Sequence, residues 1–338
     1  MEPYYYNQMS KAQRTAYHAM KTGLVSLAPS FPVPRLENHE LSDIFFKLRL
    51  DCPEIFYAVG FHYRFFPDSG NVEMIPEYLF EKGKIKEHQK AMKARVEKLC
   101  RPAQSLAERD KEQDIHDFIC THVHYDKLKK PYSHEIIGPL GQGVGVCEGI
   151  AKTVKILCDN LGIWCMIAIS DSNPDKNIKY RHAWNVIKSG GMYYHLDATF
   201  DNTLSDGDMV RYDYFNLDDK QIFRDHEPVI YKVPQCSDGE KFYYREKKLS
   251  FTKTEDVQKR ALQAIRKGKP LLFHWRGGYL TREVLSELLK LLEGTARQKG
   301  KHARTGLNWP QAVLHVTFIE EAPPEELVVE EANEGERQ

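Results

Sequence analysis

The chain has no excess of charge of either sign: 48 Lys and Arg face 48 Asp and Glu over 338 residues. That balance gives no global pull toward nucleic acid or an anionic membrane surface. No apolar run approaches the roughly 18 residues that suggest a membrane span. The opening MEPYYYNQMSKAQRTAYHAM has no apolar stretch of the kind a signal peptide needs. Cysteine is scarce, and the seven present are an odd number without a CxxC pair, which argues against a disulfide framework and a zinc ribbon. A reducing cytoplasm is the expected location, with no nucleic-acid or membrane partner and no metal or cofactor. No internal repeat is apparent. What remains, 41% hydrophobic and 28% charged, is the composition of an ordinary globular chain with room for two or three domains.

The pattern along the chain predicts an α+β protein. Residues 1–103 read as mostly helical, with helices over 11–27, 40–48 and 78–99 and an aromatic stretch from Phe56 to Phe66 that could hold strands. Residues 104–245 read as a second unit. There Ile150, Val154, Leu157 and Leu161 make one apolar stripe, so a helix is predicted from Glu148 to Leu161 with a stop at Asn160-Leu161-Gly162. Strands are predicted at 164–170, 181–188 and 192–200, the last two joined by Ser189-Gly190-Gly191, a hairpin signal. Residues 246–322 read as a small α+β domain with helices at 255–267 and 281–292 and strands at 271–275 and 312–319. Its basic stretch RQKGKHAR is expected to be a solvated loop. Residues 323–338 read as an acidic disordered tail.

The chemistry concentrates where GQGVGVCEG meets the helix. A helix N-terminus leaves N–H groups without intrahelical acceptors and carries partial positive charge, so a thiol placed there tends to fall below its free pKa of about 8.5. The glycines ahead of Cys147 are expected to let a substrate backbone come close. Glu148 beside the thiol opposes a thiolate, so a base is needed. Among 14 histidines the hairpin singles out one. A Ser189-Gly190 turn pairs Lys188 with Gly191 and sets His182 directly opposite Asp197. A Gly190-Gly191 turn pairs Ser189 with Met192 and makes the two diagonal on one face. A three-residue loop would put Asp197 on the opposite face. Cys147 as nucleophile, His182 as base and Asp197 as orienter then form a relay. The default reading of a lone cysteine is an inert buried thiol, and Asp197 could merely pin a turn. His195 alternates onto the face of Asp197 and could substitute as base. The run His116, Cys120, His122, His124 could suggest metal, but it lacks a matching second pair. The backbone N–H of Cys147 is a natural oxyanion donor, with Tyr125 or Gln142 as candidates for a second.

GVCEGIA around the thiol, RHAWNV around the histidine and YHLDATFDNT around the acid, in Cys–His–Asp order, resemble the motifs of the transglutaminase-like superfamily. IHDFICTHVHYD resembles the segment ahead of the nucleophile in bacterial members. The resemblance runs from about Asp114 to Ser205. It implies a papain-like core, with the cysteine helix packed on an antiparallel sheet carrying the histidine and the acid. It further implies a thioester acyl-enzyme formed on a peptide or other amide bond of a protein or peptide substrate. A cysteine hydrolase is the expected function. The alternatives are amine transfer to protein glutamine and a catalytically idle binding scaffold of the same fold.

Overall fold

A computed structural model describes residues 3–205 and 209–320. The acidic tail expected over 323–338 lies outside the described residues. The fold mixes helices with antiparallel sheets. The described residues divide into two compact units, one of 3–170, 182–205, 209–211 and 229–235, the other of 171–181, 212–228 and 236–320.

The first unit opens with α1 (Tyr4–Asn7), α2 (Lys11–Val25), β1 (Phe31–Pro34), α3 (Asn38–Asp51), β2 (Ala58–Phe65) and β3 (Asn71–Tyr78). Ser10 and Gln13 close a capping box on α2, which buries Ala16, Tyr17, Met20 and Leu24 along one side. The three strands form an antiparallel sheet in the order β1-β3-β2. Pro32 and Pro34 fit β1 because it is an edge strand. Pro76 sits in the middle strand only where β1 has ended, since β1 pairs no further along β3 than Met74. The sheet was only partly legible: the expected strand region covered β2, but neither β1 nor β3.

The same unit continues with α4 (Lys82–Cys100), α5 (Glu108–His122), β4 (His124–Tyr125), β5 (Val144–Gly145), α6 (Cys147–Leu161), β6 (Cys165–Ser170), β7 (His182–Ser189), β8 (Met192–Leu196) and α7 (Ala198–Leu204). Helix α6 is buried almost all round, because the stripe Ile150, Val154, Leu157, Leu161 is flanked by Ala151, Thr153 and Cys158. It ends at Gly162, whose φ of 76° is the left-handed conformation a helix stop requires. Its inner face packs on β6 and β7. Strands β6, β7 and β8 are antiparallel neighbours, with Ser170 opposite His182 and Ser189 opposite Met192. The hairpin therefore turns on Gly190-Gly191, the second of the two-residue turns considered. Both glycines have positive φ, 58° and 85°, as a type I′ turn demands, and a serine at the first central position would resist it.

The second unit contains β9 (Phe215–Leu217), α8 (Asp219–Ile222), α9 (Tyr243–Glu246), β10 (Ser250–Phe251), α10 (Thr254–Lys267), β11 (Leu271–Trp275), α11 (Arg282–Arg297), β12 (His302–Asn308) and β13 (Val313–Ile319). Val257 and Ala261 of α10 and Leu288 and Leu292 of α11 share a core with Leu271, Phe273, Leu314 and Val316 of the sheet β10-β11-β13-β12. Strand β12 corrects the loop expected for RQKGKHAR. The turn at Gly300 (φ 67°) ends within that stretch, and His302-Ala303-Arg304 already pair with β13. An edge strand with one half-covered face shows little apolar alternation, so its sequence reads as a loop.

Candidate active site

Cys147 is the first residue of α6, as its position after the glycines suggested. The chain reaches it through a tight approach. The Val146 N–H donates to the Ser133 carbonyl at 3.0 Å, and a Cβ added at Gly149 would lie 2.1 Å from that same oxygen. Gly145 is likewise closed in by Pro139, 2.7 Å from where its Cβ would be. Of the glycines ahead of Cys147, Gly145 thus serves the protein's own packing rather than a substrate's approach. Strand β5 pairs in parallel with β4, placing Tyr125 opposite Gly145.

His182 opens β7 and Asp197 follows directly on β8. The strand does not run on to Phe200 as expected, because Asp197 is the N-cap of α7. Its Oδ1 accepts from the backbone N–H of Thr199 (2.9 Å) and Phe200 (3.1 Å), while Oδ2 lies 2.6 Å from His182 Nε2. The carboxylate is fully buried. One residue therefore pins a helix and holds an imidazole, two roles the sequence reading treated as alternatives. The His182 ring packs against Trp184 (centroids 5.7 Å, 20° between planes) and Phe200 (4.8 Å). It also hydrogen-bonds Cys147. With Nε2 on Asp197, Nδ1 is the nitrogen left for the thiol.

Burial works against the charged imidazole, but the Asp197 carboxylate, followed by Cys147, outweighs it and raises His182 from an ordinary 6.5 to about 10. At neutral pH the ring holds its second proton beside the thiol. The three residues chosen from sequence are brought together.

The apparent obstacle, Glu148, is neutralised. Burial raises its pKa, yet Lys152 first, then His134 and Arg49, hold it well below the usual carboxylate range. Lys152 Nζ lies 2.7 Å from Glu148 and 2.8 Å from Glu135, and Arg49 pairs with both carboxylates. Sequence reasoning missed this buried tetrad. Only the i, i+4 spacing of Glu148 and Lys152 carried a signal for it.

The remaining candidates sort by geometry. His195 is buried and its Nδ1 accepts the Trp184 indole N–H at 3.0 Å, which commits that nitrogen to the sheet rather than to the thiol. His116 Nε2 lies 3.1 Å from Asp201 and Nδ1 3.1 Å from Asp117, so both ring nitrogens serve carboxylates, while His122 stacks on Phe118. The suggested run is not gathered into one ligand set. Of the two second oxyanion donors, Gln142 is exposed. The Tyr125 phenol is pushed up by burial and then by the charges of Cys147 and Asp197.

Five of the seven cysteines are buried, and burial pushes the thiols of Cys52 and Cys100 up to about 11. Cys147 is therefore expected to alkylate fastest at neutral pH, with half-buried Cys120 as the informative comparator. Competitive iodoacetamide labelling followed by peptide mass spectrometry measures this. Equal or slower reaction at Cys147 would remove it as nucleophile.

Residues 93–198 match the family model described as the transglutaminase-like superfamily. This stretch is similar to a transglutaminase-like core. The match takes in Cys147, His182 and Asp197. No curated protein matches the chain. Among solved structures, a TGase is 13% identical with a TM-score of 0.28, over 42% of this chain and 44% of that one. A Cytophaga hutchinsonii protein, given provisionally as a cysteine protease, is 15% identical with a TM-score of 0.27, over 42% and 62%. Menin, in a structure that reveals its binding site for the Mixed Lineage Leukemia protein, is 16% identical with a TM-score of 0.25, over 63% and 42%. The chain spans less than two thirds of the length of each of these structures. The likeness to a transglutaminase-like core rests on the family match. Among the described residues, no helix is long and apolar enough to cross a membrane.

Proposed function

We propose that the protein is a cysteine-dependent hydrolase of a peptide or other amide bond. The observation that carries this reading is the His182 ring, bonded on one side to buried Asp197 and on the other to Cys147. The Cys147 sulfur attacks the amide carbonyl. The developing oxyanion is met by the Cys147 backbone N–H at the helix start and by the Tyr125 hydroxyl. His182 delivers its proton to the departing nitrogen, the C–N bond breaks and a thioester remains. Water then attacks the thioester, its proton passes to His182, and the carboxylic acid leaves with the thiolate restored. Asp197 keeps the ring oriented and stabilises its cationic form throughout.

The pH profile tests this reading. His182 acts as an acid in the first step, and its raised pKa keeps it protonated until the pH approaches about 10. Turnover is expected to hold through neutral pH and fall as the pH rises through that value. The folded state loses the same ion pair over that window, so circular dichroism must accompany the rates. An alkaline limb near the ordinary histidine pKa of about 6.5, with the fold intact, would contradict the proposed role.

A further inference from the structure

Glu148 follows the nucleophile directly and lies in the first turn of α6. An anion there competes with the Cys147 sulfur for the positive end of the helix, so left alone it would oppose attack. It is not left alone. Lys152, one turn further along α6 and fully buried, donates to Glu148 at 2.7 Å, to Glu135 at 2.8 Å and to the His134 carbonyl at 3.2 Å. Arg49 of α3 pairs with Glu135 and lies 3.7 Å from the same Glu148 oxygen, while His134 Nδ1 lies 3.3 Å from the other. Two cations thus face two carboxylates, with Lys152 as the hub. The backbone beside it reaches the nucleophile a second way, since the Ser133 carbonyl accepts the N–H of Val146, one residue before Cys147. A buried ammonium is costly to desolvate, and a well-packed apolar side chain commonly serves stability as well or better. Stability alone therefore does not account for a charge one turn from the nucleophile.

We propose that Lys152 is a positioning residue for Cys147: its ammonium holds Glu148 and cancels that charge, so the sulfur meets no uncompensated anion when it attacks. The inference rests on the reading of Cys147 as nucleophile and names the residue that prepares it. Lys152 itself does no chemistry on the substrate. An ammonium has three N–H groups, and these three acceptors engage all of them. Its action on the reaction passes through Glu148 and through the backbone at His134.

The test is the rate at which iodoacetamide labels Cys147 in the full-length protein at neutral pH. Peptide mass spectrometry reads it, with half-buried Cys120 as internal reference and circular dichroism as the check on the fold. Lys152→Met keeps the bulk and leaves one cation against two carboxylates, so labelling of Cys147 is expected to fall by about ten-fold. Glu148→Gln disrupts the same ion pair but removes the anion instead, and is expected to label at least as fast as the unmodified protein. Combining the two leaves Arg49 against Glu135, and labelling is expected to return to within about two-fold of the unmodified rate. A Lys152 that only supports the fold gives another pattern, in which both single variants slow labelling and the double variant is no faster than Lys152→Met. That pattern, or an unchanged rate in Lys152→Met, would overturn the proposal. If Lys152→Met does not fold, Glu148→Gln decides alone, because slower labelling there contradicts the compensating role and undiminished labelling supports it. The unmodified protein tests the underlying reading separately. A Cys147 no faster than Cys120 loses the nucleophile itself, whereas a fast Cys147 indifferent to Lys152 keeps the nucleophile and loses this inference.

Discussion

Asp197→Asn is expected to leave the fold intact and to lower turnover severely, on the order of 10⁴-fold. The fold survives because asparagine caps helices as well as aspartate does, and its carbonyl oxygen can keep the Thr199 and Phe200 N–H groups. The loss falls on the other oxygen. An amide N–H in place of Oδ2 faces His182 Nε2 and can only donate, so the ring must accept there and carry its proton on Nδ1. The anion that stabilised the imidazolium is gone as well, and the alkaline limb of the pH profile should move to lower pH. Turnover near that of the unmodified protein, with an unchanged circular dichroism spectrum, would remove Asp197 from the relay.

Deleting Asn185 is expected to abolish turnover, whereas a glycine inserted after Gly190 is expected to leave most of it. The insertion lengthens an exposed turn whose two glycines already have positive φ, and β7 and β8 can keep Ser189 opposite Met192. The deletion lies between His182 and the turn. It shifts His182 by one residue against everything that follows, which moves its ring to the other face of the strand and away from Asp197. It also removes a buried amide whose Nδ2 donates to the Ala151 carbonyl at 3.0 Å, tying β7 to the cysteine helix. Activity is therefore expected to be absent even from molecules that fold. A folded deletion variant with normal turnover would mean that the relay does not depend on this hairpin.

Local features were legible in the sequence and distant ones were not. The start of α6, expected at Glu148 and found one residue earlier at Cys147, followed from glycines giving way to an apolar stripe, and its end followed from Gly162. The meeting of His182 and Asp197 followed from counting back from a two-glycine turn. The choice between the two turns was also within reach, since only glycine readily supplies positive φ at both central positions. The strand expected to reach Phe200 stops at Leu196, because a side-chain cap competes locally with strand pairing. Other features join residues far apart in the chain. No periodicity links Arg49 to Glu148, or His116 to Asp201, so neither ion pair could be read from sequence. The close fit of Gly149 against Ser133 belongs to the same class, since it depends on a loop packed from elsewhere.

The central claim is that Cys147 forms a covalent thioester with help from His182 and Asp197. Its most direct test is mass spectrometry of the intact protein, then of its peptides, after brief reaction with an activated acyl or amide probe. The account predicts one acyl group, on Cys147, removed by hydroxylamine as a thioester must be. It also predicts that the adduct is absent in Cys147→Ser and forms much more slowly in Asp197→Asn. An acyl group on another cysteine, or an adduct at Cys147 that forms as fast without Asp197, would contradict it.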